Sequence, residues 1–153
     1  MLVPLRFGAH YGTGVVSRLI RWQQRTDVSH ISLLDNGDSL IEAREFHGVV
    51  QNRTLQDARN EQRVDVLEVL VTPEQRDRAI TWAKAQIGKR YDYLSIIRFV
   101  TRKANRKDNG KWFCSELAFV AALKAGVALL QRINPAEVSP GHFVISPYLH
   151  EAL

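Results

Sequence analysis

The alternation of apolar and polar positions marks out strands in the first half of the chain and helices around them. Leu2 to Phe7 reads as an opening strand that Gly8 closes. Gly12 and Gly14 then loosen the chain. Val15, Ile20 and Trp22, set among Arg18, Arg21 and Gln23, predict a short helix over Val15–Gln24 that Thr26 and Asp27 break. Ser29–Leu34 and Ser39–Ala43 read as two strands on either side of Asp35-Asn36-Gly37-Asp38, a strong hairpin signal. A turn around Phe46 to Gly48 lets Val49 and Val50 continue the meander, after which the chain is polar from Asn52 to Gln62. Arg63 to Val71 is rich in β-branched residues on both sides, which predicts a strand with both faces largely covered.

Helix signals follow. Thr72-Pro73-Glu74-Gln75 supplies an N-cap threonine, a proline at the first helical position and an acid in the first turn. Ala79, Ile80, Ala83 and Ile87 continue at helical spacing toward a sheet, and Gly88 stops the run. Tyr91 to Val100 reads as a further helical stretch. A basic loop from Thr101 to Lys111 leads into Trp112-Phe113-Cys114-Ser115-Glu116-Leu117 and an apolar helix reaching Ala125. Asn134-Pro135-Ala136-Glu137 is a short capped turn, Ser139-Pro140-Gly141 precedes an apolar His142 to Ile145, and Pro147 to Leu153 closes the chain. No repeat, linker or low-complexity tract divides it. Strands gathered centrally with helices before and after predict one α+β domain over 1–153, with a layered arrangement favoured over a doubly wound parallel sheet.

Composition narrows the function. A chain of 153 residues with 45% hydrophobic and 24% charged content can bury a proper core. A single cysteine excludes an internal disulfide. The start carries no basic segment followed by a long apolar one, and no apolar run is long enough to span a bilayer, so the expected location is cytoplasmic, with export by another route left open. The formal charge of +5 is concentrated in Arg98, Arg102, Lys103, Arg106, Lys107 and Lys111, against Asp108 alone. That run is either a solvated loop or a site for an anionic ligand, such as an acidic peptide or a lipid head group. Nucleic acid is not expected, because no zinc-finger, RNP or helix-turn-helix pattern accompanies the charge.

Cys114 is the residue with the most chemistry to offer. At the start of a helix, unpaired N–H groups and the macrodipole favour an anion, and the thiolate is the reactive form of cysteine. Its alternative role is that of a small buried hydrophobe. A nucleophile needs a base, and the base an orienting group. Of five histidines, His10 falls in a glycine-rich loop, His47 in a turn, and His142 and His150 in the tail. Only His30 starts a strongly strand-like segment. Counting outward from the hairpin turn places Glu42 opposite residue 31, so a one-residue bulge would bring it directly against His30, where a carboxylate fixes the imidazole tautomer. A zinc site lacks support, with one cysteine, no HExxH and no close histidine pair, and no metal or other cofactor is expected. GxSxG, Walker and GxGxxG patterns are absent too.

The order DVSHISLL, DSLIEA, GV, IGKRYDY and WFCSEL resembles the circularly permuted NlpC-type cysteine hydrolases of the papain-like superfamily, especially the YiiX-like group, with the lecithin retinol acyltransferase proteins as more distant members. The similarity spans roughly Gly14 to Pro147, and the histidine strand precedes the cysteine helix by 84 residues, the reverse of papain. Triads are defined by geometry, so the reversal is no obstacle. The resemblance implies a permuted papain-like fold in which an antiparallel sheet packs against helices. It also implies Cys114 as nucleophile, His30 as base and Glu42 as the third residue. Tyr91 matches the family's cleft tyrosine, and Ser29 and Trp112, flanking the catalytic positions, are further candidates for substrate binding.

The function so implied is a cysteine peptidase or amidase that forms an acyl-enzyme thioester on a peptide, such as a cell-wall fragment, or on an acyl-lipid. Two alternatives remain open on the sequence. One is an acyltransferase using the same thioester; the other is a non-catalytic module that holds an anion through the Arg98–Lys111 loop.

Overall fold

A computed structural model of the chain describes residues 1–93 and 110–152. Strands β1 (Val3–His10), β2 (His30–Leu34), β3 (Leu40–Arg44), β4 (Gly48–Val50), β5 (Val64–Val71) and β6 (His150–Glu151) form one sheet in the order β4-β3-β2-β1-β5-β6 among the described residues. Every pairing in it is antiparallel. The helices are α1 (Val15–Gln24), α2 (Leu55–Glu61), α3 (Pro73–Lys84), α4 (Cys114–Lys124) and α5 (Pro140–Val144), with a 3-10 turn at Pro135–Glu137. The architecture is therefore α+β, as expected.

Strand alternation sorts residues between two cores. Ile31, Leu33 and Ile41 point into the main core, where Phe7, Phe119, Ala122 and Phe143 meet them from β1, α4 and α5. Leu34 and Leu40 turn to the opposite face, where Leu55 and Ala58 of α2 cover them together with Val64 and Val66. Each fully buried leucine or phenylalanine contributes about 1.5–3 kcal/mol by leaving water. The two-sided cover explains why β2 and β3 are buried along most of their length.

Several boundaries differ from the sequence expectation. β1 does not stop at Gly8. A Cβ built there would lie 2.5 Å from the Ser32 hydroxyl and 3.1 Å from His10 Nε2, so the glycine accommodates a close polar pair and the strand runs on to His10. The polar stretch before β5 holds a helix, α2. Thr54 caps it and Asp57 returns the bond to the Thr54 N–H, a capping box with the shorter acid at N3. α3 ends at Lys84, and Ile87 beyond it is 44% exposed. β5 is covered on both faces only in its first half, since Leu70 is 58% exposed. The short β6, unanticipated, pairs with β5. Most of the helical stretch expected over Tyr91 to Val100, and the basic loop up to residue 109, lie outside the described residues. Among the described residues no helix is long and apolar enough to cross a membrane.

Candidate active site

The site is built where β1, β2 and β3 run side by side and α4 begins. In the hairpin, Leu33 stands opposite Ile41 and Leu34 opposite Leu40. Strand alternation puts His30 on the face of Leu34 and Glu42 on the face of Leu40, so both side chains leave the same side of the sheet. There His30 Nε2 donates to Glu42 Oε2 at 2.7 Å.

Glu42 has a second partner that sequence reasoning missed. Arg53 donates from Nε to Oε1 at 2.6 Å and from Nη2 to Oε2 at 3.0 Å. The carboxylate side chain is fully buried and the guanidinium nearly so, at 0% and 9% exposure, which makes each dependent on the other. Burial alone would push the Glu42 carboxyl up. The hydrogen bonds and charges of His30 and Arg53 outweigh burial and hold it well below the ordinary carboxylate range.

His30 keeps a side-chain exposure of 19%. Burial lowers its proton affinity, but the negative charge and hydrogen bond of Cys114, followed by those of Glu42, raise its pKa to about 9. With Nε2 committed to Glu42, Nδ1 is the nitrogen left for the Cys114 thiol. Cys114 is the first residue of α4, only 1% exposed, with Phe113 as the N-cap. His30 is thus hydrogen-bonded to Glu42 at 2.7 Å, and its raised pKa reflects Cys114, 84 positions along the chain, as well as Glu42.

His10 completes the cluster. The sequence put it in a loop; the extended β1 sets it directly opposite His30, with ring centroids 4.8 Å apart in an edge-to-face arrangement. It is wholly buried. The Gln62 amide donates to Nδ1 at 3.2 Å, which leaves the proton on Nε2 for Ser32 Oγ at 2.8 Å. Burial first, then the charge of His30, pushes its pKa well below the ordinary value, so this imidazole is neutral.

The remaining candidates separate. Ser29 and Tyr91 line the cavity of about 300 Å³ that opens at His30. Ser29 Oγ accepts from the Gly12 N–H at 3.2 Å. Tyr91 is 5% exposed and packs its ring 5.9 Å from that of Phe113. Burial, and after it the charge on Cys114, raises the phenol pKa, so the hydroxyl keeps its proton. Trp112 is absent from the described lining of this cavity and instead sets its ring edge-on to Trp82, centroids 5.3 Å apart.

Comparison with solved structures places this architecture. The crystal structure of the metalloprotein yiiX from Escherichia coli O157:H7, DUF1105, superposes with a TM-score of 0.76 over 97% of this chain and 95% of that chain, at 17% identity. The fold is YiiX-like. No family model matches the chain, and no curated protein matches it either. At this identity the YiiX likeness concerns the path of the backbone; the chemistry has to come from the side chains themselves.

Proposed function

We propose that the protein is a cysteine hydrolase acting on an amide or ester through Cys114, His30 and Glu42. What supports this reading is a single imidazole hydrogen-bonded to a buried, ionised carboxylate, with its proton affinity raised by Cys114 as well as by Glu42. His30 has already taken the proton of Cys114 before the sulfur attacks the substrate carbonyl. The charge that develops on oxygen meets the backbone N–H groups at the start of α4, with the protonated Tyr91 hydroxyl beside them. The imidazolium then gives its proton to the departing amine or alcohol, leaving a thioester. Water, deprotonated by the same imidazole, attacks the thioester and releases the acid and free Cys114. Glu42 stabilises the imidazolium and Arg53 keeps Glu42 ionised. A peptide or an acyl-lipid is the expected substrate class. Added hydroxylamine diverts the thioester to a hydroxamate, so the product reports whether water or an amine resolves it.

The test is alkylation of Cys114 by iodoacetamide at about pH 6, where an ordinary thiol reacts slowly. Rapid labelling that is largely lost in His30→Ala is the expected result. Labelling that follows a free thiol in both proteins refutes the proposal.

A metal centre is the second reading. His10, His30 and Glu42 offer one ligand atom each, all within 4.8 Å of one another, and YiiX is a metalloprotein. The donors here are already committed. Both oxygens of Glu42 bond Arg53, a permanent cation that would face the metal, and both nitrogens of His10 have partners. The residues therefore fit acid–base work better than metal ligation. One equivalent of zinc surviving dialysis and raising hydrolysis would reverse that preference.

A further inference from the structure

The groove does not end at His30. Its cavity is bounded on one side by Phe46, His47 and Tyr91, and the same three residues form a wall of a second cavity of about 360 Å³. Lys89, Arg90 and Lys111 line that second cavity, and no carboxylate is among its described lining residues.

The backbone under these cations is fastened on both sides. Val49 N–H donates to Lys89 O at 2.8 Å and Gly88 N–H to Val49 O at 2.9 Å, which ties the segment to the β4 edge. Trp112 N–H donates to Arg90 O at 3.0 Å and Asp92 N–H to Trp112 O at 2.9 Å, which brings Lys111 alongside. Lys89 and Arg90 are exposed cations held on this fixed frame, where they raise the local positive potential. Lys89 gives one hydrogen bond to Gln86 Oε1 at 2.7 Å, a fraction of the three that an ammonium can donate.

Phe46, at the ridge between the cavities, points the same way. It has a φ of 63°, in the left-handed region that a bulky side chain rarely adopts. The residue is 88% exposed. The conformation is held by the Tyr93 hydroxyl, which accepts from the Phe46 N–H, and by the Tyr93 ring at 6.0 Å. A strained, exposed aromatic neither fills the core nor caps an element; it presents an apolar surface between the reactive imidazole and the cationic rim.

We propose that the second cavity is an anion subsite of the same groove. A carboxylate or phosphate of the substrate sits against Lys89, Arg90 and Lys111, Phe46 covers the linking atoms, and the scissile carbonyl lies at Cys114. Placing the carbonyl rests on the hydrolase reading; anion binding does not. The test uses the Cys114→Ala protein, which has no nucleophile, titrated with inorganic phosphate and separately with glutarate while backbone amides are followed by ¹⁵N NMR. Saturable shifts at Phe46, Gly88, Lys89 and Arg90 are expected, with the affinity falling at least tenfold in Lys89→Gln/Arg90→Gln. Tighter binding of one anion assigns the subsite to phosphate or to carboxylate. No saturable shift with either, shifts confined to other residues, or equal affinity in the double variant overturns the subsite. Because the alkylation of Cys114 is measured independently, either result leaves the other reading standing or falling alone.

Discussion

His10 and His30 face each other across β1 and β2, the same side chain at the same level of the sheet, and they titrate in opposite directions. Burial disfavours the charged form of both. His10 has only neutral hydrogen-bonding partners, the Ser32 hydroxyl and the Gln62 amide, and burial together with the charge of His30 outweighs the opposing charge of Glu42, so the ring stays neutral. His30 has Glu42 at 2.7 Å and Cys114 beyond, and those two negative groups reverse the sign. The pair teaches that the strand frame fixes where an imidazole stands, while its charge is decided by the residues placed against it. One ring stays neutral; the other is the proposed carrier of protons.

The contrast breaks most completely in Cys114→Ala. Hydrolysis should fall by about 10³-fold or more, the loss typical of a missing nucleophile. The His30 resonances in a ¹H–¹⁵N titration should show a pKa clearly below about 9 once the sulfur charge is gone. An unchanged rate would refute the nucleophile. Glu42→Gln comes next. It leaves Arg53 buried without its carboxylate, so urea denaturation should report a loss of about 3–5 kcal/mol. The rate should fall by roughly 10²–10⁴-fold as the imidazolium loses its stabiliser. A variant as stable and active as the parent would show that the buried pair is idle.

The pH dependence sharpens the comparison further. The leaving group needs the protonated form of His30, so the rate should decline as pH rises through about 9, approaching tenfold per unit above it. The sign for stability follows the same group. A raised folded pKa means that the His30 contribution is fully present below its ordinary value near 6.5 and is lost as pH climbs through about 9. Glu42 runs the other way: its contribution is present above the ordinary carboxylate range and disappears only in strong acid. Urea midpoints across the pH range check both limbs. The smallest effect is expected for His10→Ala, which strands the Ser32 and Gln62 groups at about 1–3 kcal/mol in stability. It should change the rate by less than about tenfold, since the ring transfers no proton. A larger loss in rate than in melting behaviour would give His10 a chemical role.

The sequence showed the His30–Glu42 pairing through its hairpin: the turn at Asp35–Asp38, the strands on either side, and an imidazole and a carboxylate within one position of facing each other across it. It showed the cysteine through an apolar helix with a polar start. It hid His10 and Arg53, each for a different reason. Gly8 looks like a strand end, because its use here is the contact that a missing Cβ permits with Ser32, and that contact is 24 residues away in the chain. Arg53 sits in a polar stretch whose helix, α2, buries only Leu55 and Ala58, too few to set a visible period. The basic run from Arg98 lies outside the described residues up to residue 109, and its Lys111 lines the second cavity. The run around residues 98–107 carries the conspicuous charge, whereas Lys89 and Arg90, which line the second cavity, are ordinary in composition and become neighbours of Lys111 only through the pairing of Tyr91 with Trp112.

Gly48 opens β4 with a φ of 73°, and a Cβ placed on it would come within 2.3 Å of the Lys89 carbonyl oxygen. Any residue with a side chain would lever the 88–90 segment off the sheet edge, whereas Cys114, His30 and Glu42 stand on elements other than β4. Evolution could therefore retire the rim and retain the reaction, or re-aim the rim at another compound, by drift at one position. The proposed anion subsite and the proposed catalytic residues would then vary independently.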